Sequence, residues 1–171
     1  MTISELHIQL DLQPENRIDI LKKCSKKCDE GYLFDDSSDG HCYLFDENGN
    51  EDDVNKLTKI DTDLFYDSNI ESITIPNSIR SIENLAFYNC QSLKSIVIPD
   101  SVKSIGNYAF WNCQSLKSIE IPDSVKSIGN NAFEWCESLK SLIFKGKTIY
   151  QIKAIENYPF GIKDESIIKC I

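Results

Sequence analysis

The sequence predicts an α/β repeat solenoid, with a helical N-terminal cap and a small helix-and-strand C-terminal cap. Three observations carry this. First, residues 72–140 are one 23-residue phrase written three times without insertion: SITIPNSIRSIENLAFYNCQSLK, SIVIPDSVKSIGNYAFWNCQSLK and SIEIPDSVKSIGNNAFEWCESLK. A fixed period of this length, with Leu and Ile at fixed offsets, is a solenoid signature. Second, apolar residues recur at the same offsets: Ile75/Ile98/Ile121, Ile82/Ile105/Ile128, Phe87/Phe110/Phe133, Cys90/Cys113/Cys136 and Leu93/Leu116/Leu139. One copy cannot bury such a side alone, whereas stacked copies place like on like. Adjacent turns then lie about 4.8 Å apart, the spacing of neighbouring strands. Third, the pattern decays on both flanks, as expected where end repeats close a core.

The elements follow in order. Residues 1–31 predict helices. Thr2 and Glu5 fit a capping box over the face Ile3, Leu6 and Leu10, although the alternation Leu6, Ile8, Leu10, Leu12 equally fits a strand. Pro14 suits a first helical position and Gly31 lies just past the end. Ile18, Leu21, Cys24 and Cys28 form the apolar stripe of that second helix, and Lys22, Lys23, Lys26 and Lys27 suit its other side and last turns. Residues 32–53 hold two YLFD copies around DSSDGH, which predict two short strands about a Gly-containing turn. Residues 57–71 are a degraded copy, in which Ile60 aligns with Ile82, Phe65 with Phe87 and, after one deletion, Ile70 with Leu93.

Within the middle copy, Leu93, Ile96 and Ile98 space a short strand that Pro99 ends, because proline lacks the N–H for a further ladder bond. Val102 and Ile105 make a second extended piece, and Gly106-Asn107 turns the chain. Ala109, Phe110 and Cys113 fit a single helical turn, with Phe110 and Cys113 on one face. Past the repeats, Leu142 and Phe144 keep a strand and Lys145-Gly146-Lys147 turns. Thr148 then caps a helix with Ile149, Ile152 and Ile155 facing inward and Pro159 stopping it. Residues 166–171 add an edge strand. The domain division is therefore 1–56, an acidic N-terminal cap; 57–144, repeats; and 145–171, a C-terminal cap.

The phrase resembles the BspA-type leucine-rich repeat, close to L-x-x-I-x-I-P-x-S-V-x-x-I-G-x-x-A-F-x-x-C-x-x-L, almost letter for letter over 72–140 and more loosely over 57–71 and 141–170. The resemblance implies a short right-handed leucine-rich-repeat solenoid. It also implies binding of a protein or ligand rather than chemistry, since such repeats are similar to those of bacterial and protozoan surface proteins and of large phages. Fold alone does not name the function.

Composition narrows the rest. The formal net charge is −9, with 14 acids and 6 bases in residues 1–56 against 13 acids and 12 bases in residues 57–171. An acidic head on near-neutral repeats predicts no direct nucleic-acid binding, which leaves a basic footprint. No run of 18 apolar residues predicts a membrane span, and no basic-then-apolar N-terminal segment is present. Seven cysteines, three on one ladder, then predict free thiols in a reducing cytoplasm.

Several residue groups invite a chemical reading. Cys24-x3-Cys28 with His41-Cys42 offers four zinc donors, but Cys24 and Cys28 already lie on an apolar stripe and adjacent residues rarely reach one ion. Asp35 to Asp46 mimics a calcium loop with Gly40 at its sixth place, yet Asp46 stands where Glu belongs and strands rather than helices flank it. No cysteine–histidine pair has the electropositive surroundings that activate a thiol, so no enzyme and no cofactor are predicted. The exposed columns are better prospects. One is Thr74/Val97/Glu120/Ile143 beside the invariant Lys94/Lys117/Lys140 and Ser95/Ser118/Ser141. The other is Tyr66/Tyr88/Trp111, with Trp135 one residue later and Tyr108 nearby. Aromatics are enriched at interface hot spots, although they equally shield the Phe ladder from solvent. The reading is a non-enzymatic protein-binding module with Trp111, Tyr88, Tyr66, Trp135, Val97 and Glu120 at its contact surface. The alternatives are an inhibitor of a nucleic-acid-handling host protein carried by a phage or mobile element, and a metal-binding protein using Cys24, Cys28, His41 and Cys42.

Overall fold

A computed structural model describes residues 58–75 and 77–171, together with the backbone of four short N-terminal strands. These are β1 (Lys26–Cys28), β2 (Gly31–Asp36), β3 (His41–Phe45) and β4 (Glu51–Asp52), which form an antiparallel sheet in sequence order. β2 and β3 set the two YLFD copies against each other, pairing Tyr32 with Phe45 and Asp36 with His41. Lys26–Cys28 pairs with Gly31–Leu33 as a strand, so this stretch is not the last turn of a helix. Residues 1–25, which carry the rest of the expected helices, lie outside the described residues.

From residue 58 onward the chain is a three-sided β-solenoid. One side is the parallel sheet β5 (Lys59–Ile60), β7 (Ser81–Ile82), β9 (Ser104–Ile105) and β11 (Ser127–Ile128). A second side carries β6 (Ser72–Thr74), β8 (Ser95–Val97), β10 (Ser118–Ile121), β12 (Ser141–Phe144) and β13 (Ile168–Cys170). Here β6 pairs with β8 and β10 with β12, parallel and in register with the 23-residue repeat, and β12 pairs in parallel with β13 at a spacing of 26 residues. β10 runs up to Pro122, where the ladder must stop. β3 of the N-terminal sheet comes near β6. The degraded copy joins the stack as its pattern predicts, with Ile60 paired to Ile82 and Phe65 stacked on Phe87.

Every apolar ladder is buried. The Phe65, Phe87, Phe110 and Phe133 rings stack at 5.0, 5.2 and 5.4 Å, within 5° of parallel. Ile79, Val102 and Val125 form a further buried column. The cysteine column does more than fill space: its thiols donate to carbonyls of the preceding turn, Cys90 to Phe65 at 2.9 Å, Cys113 to Phe87 at 3.3 Å and Cys136 to Phe110 at 3.0 Å.

The third side corrects the sequence reading. Ala109 to Cys113 do not form a helical turn; residues 107–112 are a run of turns. Leu85, Tyr108 and Asn131, and four residues on Asn89, Asn112 and Trp135, all have φ between 53° and 62°. Left-handed residues break a helix, and they turn alternate amides along the solenoid axis. Leu85, Phe87 and Asn89 N–H thus donate to Asn107, Ala109 and Trp111 carbonyls of the next copy, at 2.8–2.9 Å. A helix would spend those donors within itself. The architecture is accordingly a β-solenoid with little helix rather than an α/β one.

The C-terminal segment makes one more, altered turn. A capping box at Thr148 with Gln151 starts α1 (Ile149–Lys153). Ile152 and Ile155 are buried as expected, but Ile149 is exposed, because a five-residue helix presents only one narrow face. The helix also ends at Lys153, well before Pro159. Residues 156–161 resume the turn side, where Phe133 N–H donates to Phe160 carbonyl, and β13 closes on β12.

Candidate functional site

The two exposed columns land on different sides. On the β6–β13 side, backbone pairing sets Thr74 beside Val97 and Glu120 beside Ile143. Val97 is 58% exposed, Ile143 is half-buried, and Glu120 is held by Lys145 at 2.5 Å. That carboxylate, by its hydrogen bond first, raises the Lys145 pKa. Lys94 pairs with Glu71 at 2.7 Å, and Lys147 with Asp123 at 2.8 Å. Acids on this side are therefore answered by lysines.

The turn side carries the aromatics. Tyr66 stacks on Tyr88 at 4.8 Å and Tyr88 on Trp111 at 4.5 Å, each within 7° of parallel. Trp111 is half-buried and donates its indole N–H to Glu134, which occupies the same repeat offset one copy on. The faces of Tyr88 and Trp111 are thus partly taken by neighbours, whereas Tyr66 remains 47% exposed at the end of the row.

Beside this row runs a polar ladder. Asn89 donates to Asp67 and Asn112 to Asn89, with Gln91 and Gln114 bracing the same amides. Asn84 and Asn107 accept from the backbone N–H of Asn107 and Asn130. Sequence reading passed over both ladders, although Asn at offsets 84/107/130 and 89/112 was their signal. Asn tolerates the left-handed conformation and offers an amide to the next copy.

The last copy departs from this rule. Where earlier copies read Tyr66-Asp67, Tyr88-Asn89 and Trp111-Asn112, it reads Glu134-Trp135. Trp135 therefore takes the left-handed position at φ 62° and stands 47% exposed. Lys163 lies over its ring, the ammonium 4.4 Å from the centroid. A cleft of about 320 Å³ opens beneath, walled by Phe133, Trp135, Leu139, Ile162 and Ile167, with Glu137 among the residues lining it.

The other candidates are placed as follows. Cys24 lies outside the described residues; Cys28 is on β1, and His41 and Cys42 are on β3 opposite Asp36 and Asp35. Strands, not helices, flank the Asp35–Asp46 loop. Among the described residues no group of three or more His, Cys, Asp or Glu is arranged to hold a metal. The Cys113 thiol is pushed far above its ordinary pKa, first by the Cys136 side chain and then by burial, so it stays protonated.

Known proteins resemble the chain in its repeats. A search of curated proteins finds no match. A leucine-rich repeat protein from Bacteroides capillosus is 27% identical, with TM-score 0.53 over 72% of this chain and 99% of that one. A leucine-rich repeat protein from T. pallidum is 29% identical, with TM-score 0.46 over 51% of this chain and 52% of that one. The family model of the BspA-type leucine-rich repeat region matches residues 58–166 in six copies. With its ladders, period and match in agreement, the chain belongs to the BspA-type leucine-rich repeat family.

Proposed function

We propose that the chain is a non-enzymatic protein-binding module that meets its partner through the turn side. The observation that carries this reading is the pairing of rigid backbone with exposed aromatic surface. Tyr66 and Trp135, each 47% exposed, stand on a backbone locked to the neighbouring copies by amide–carbonyl bonds. Large aromatics held rigidly lose little entropy on binding and dominate interface energetics. Tyr88 and Trp111 contribute mainly by stiffening the row between them. The strand column is the second reading, favoured by Val97, which is 58% exposed beside Glu120. Capture of a partner from cells that carry the gene separates the two. Trp111→Ala and Tyr66→Ala are expected to weaken capture at least tenfold while Val97→Lys with Glu120→Lys leaves it intact. The opposite pattern moves the site to the strand side, and no captured protein removes the reading.

A further inference from the structure

We propose that the turn side, at its Trp135 end, docks a lysine- or arginine-bearing segment of a partner protein. This rests on the protein-binding reading and adds the chemistry of the partner. Three independent observations lead to it.

The first is charge sorting. The turn runs 61–70, 83–92, 106–115 and 129–138 contain Asp61, Asp63, Asp67, Glu83, Glu134 and Glu137 and no lysine or arginine. The bases of the repeats sit instead on the strand sides, in the columns Arg80/Lys103/Lys126 and Lys94/Lys117/Lys140. Lys163, brought over Trp135 by the C-terminal segment, is the exception at this end; the acidic runs themselves draw a partner of the other sign and orient it.

The second is Trp135 itself. Leu85 and Tyr108 show that the other left-handed offset accepts bulky residues, but at the Trp135 offset the three earlier copies place Asp or Asn, and Trp135 alone is bulky there. The fold enforces this conformation at every copy, so the departure lies in the choice of residue: an indole stands where a short side chain would sit with less strain. The swap to Glu134-Trp135 also does something the other copies cannot. It turns an indole outward beside a cleft and leaves a carboxylate behind it.

The third is Lys163. Its ammonium lies 4.4 Å from the Trp135 ring centroid, so this indole already holds a cation of the chain's own. An incoming guanidinium or ammonium takes that place. Its aliphatic stem lies along Phe133, Leu139 and Ile162 in the cleft, and its head reaches Glu137. Lys163 is then an internal competitor.

The test uses the full chain labelled with ¹⁵N at its two tryptophans. The probe is an eight-residue peptide of alternating Arg and Leu, beside its neutral counterpart with citrulline for Arg. The Arg peptide is expected to shift the Trp135 indole signal, assigned by its loss in Trp135→Asn. Affinity should fall at least tenfold with citrulline or with Trp135→Asn, and about threefold with Glu137→Gln. Trp135→Asn should melt no lower than wild type. Lys163→Met, which removes the competitor, should tighten binding about threefold or more. Equal affinity for both peptides, unchanged affinity in Trp135→Asn, or weaker binding in Lys163→Met overturns the proposal. These outcomes are separate from capture of a natural partner. A chain that captures a protein yet fails the peptide test remains a binding module with a different contact.

Discussion

The strand sides and the turn side are built from the same 23-residue phrase and differ in what holds them. On the strand sides, side-chain alternation decides everything: Ile in, Ser or Lys out, with register set by the ladder. On the turn side the backbone decides. Two left-handed residues recur in each copy, and at 63/67, 85/89 and 108/112 their amides donate to the next copy, so their identity is constrained even where the side chain is exposed. Charge follows a related division within the repeats: the lysines sit on the strand sides, where Glu71 and Glu120 pair with lysines, and the four turn runs carry acids without lysine or arginine. The near-zero net charge of the repeats conceals two opposed faces. A departure from the phrase consequently means different things on the two sides. At Val97 or Glu120 a change of residue costs the fold little. At Trp135 it carries a backbone penalty.

The sharpest break in this comparison lies where both sides share a core. Phe110 is fully buried with a ring stacked on either face. Phe110→Ala is expected to destabilise by about 3–5 kcal/mol, read by denaturant unfolding, because it removes the ring and leaves a cavity in the middle of the stack. Next is the corner that joins the sides. A Cβ on Gly129 would lie 2.4 Å from the backbone N of Asn107. Gly129→Ala should therefore cost about 1–3 kcal/mol and disturb the Asn107–Asn130 contact in amide spectra. A neutral Gly129→Ala would show that the copies are not locked at that corner.

The strand sides were legible from sequence because a period of 23 and a side-chain period of 2 are both visible in letters. Ile75/Ile98/Ile121 and Phe87/Phe110/Phe133 could be assigned to ladders without coordinates. The turn side was not, because Ala109, Phe110 and Cys113 have helical spacing and φ leaves no trace except a preference for Asn. Val97 and Glu120 were correctly read as outward-facing. For Trp135, the indole was visible in the sequence, but its left-handed backbone and its contact with Lys163 were not, since Lys163 comes from the altered last turn, where the 23-residue phrase is no longer legible. Ile149 was misplaced because helix periodicity says which residues share a face but not how short the helix is.

Smaller effects sharpen the division further. Cys90, Cys113 and Cys136 are buried and hydrogen-bonded across copies, whereas Cys170 on the β13 edge is exposed. Alkylation of the native protein followed by peptide mass spectrometry should modify Cys170 long before these three. Early modification of Cys113 would mean that the turn side opens readily. The last effect concerns pH. Tyr158 is pushed up to about 12, by burial first and then by its hydrogen bond to Glu165. The unfolded phenol ionises near 10, so the folded state binds the extra proton between these values. That contribution to stability is complete below pH 10 and is lost as pH rises toward 12. Denaturant midpoints across this window should fall less steeply in Tyr158→Phe than in wild type.

The central claim is that the turn-side positions of Asn89, Asn112 and Trp135 belong to the backbone, and that Trp135 is held there for its surface. It is tested most directly by exchanging the two residue types and measuring unfolding free energy for each. Asn112→Trp should destabilise by about 1–2 kcal/mol, since it forces a bulky residue into the left-handed region and removes the amide link to Asn89. Trp135→Asn should leave the free energy unchanged or raise it by up to about 1 kcal/mol. If Trp135→Asn instead destabilises as much as Asn112→Trp does, the indole is there for packing and the account of the turn side as a strained, partner-facing surface fails.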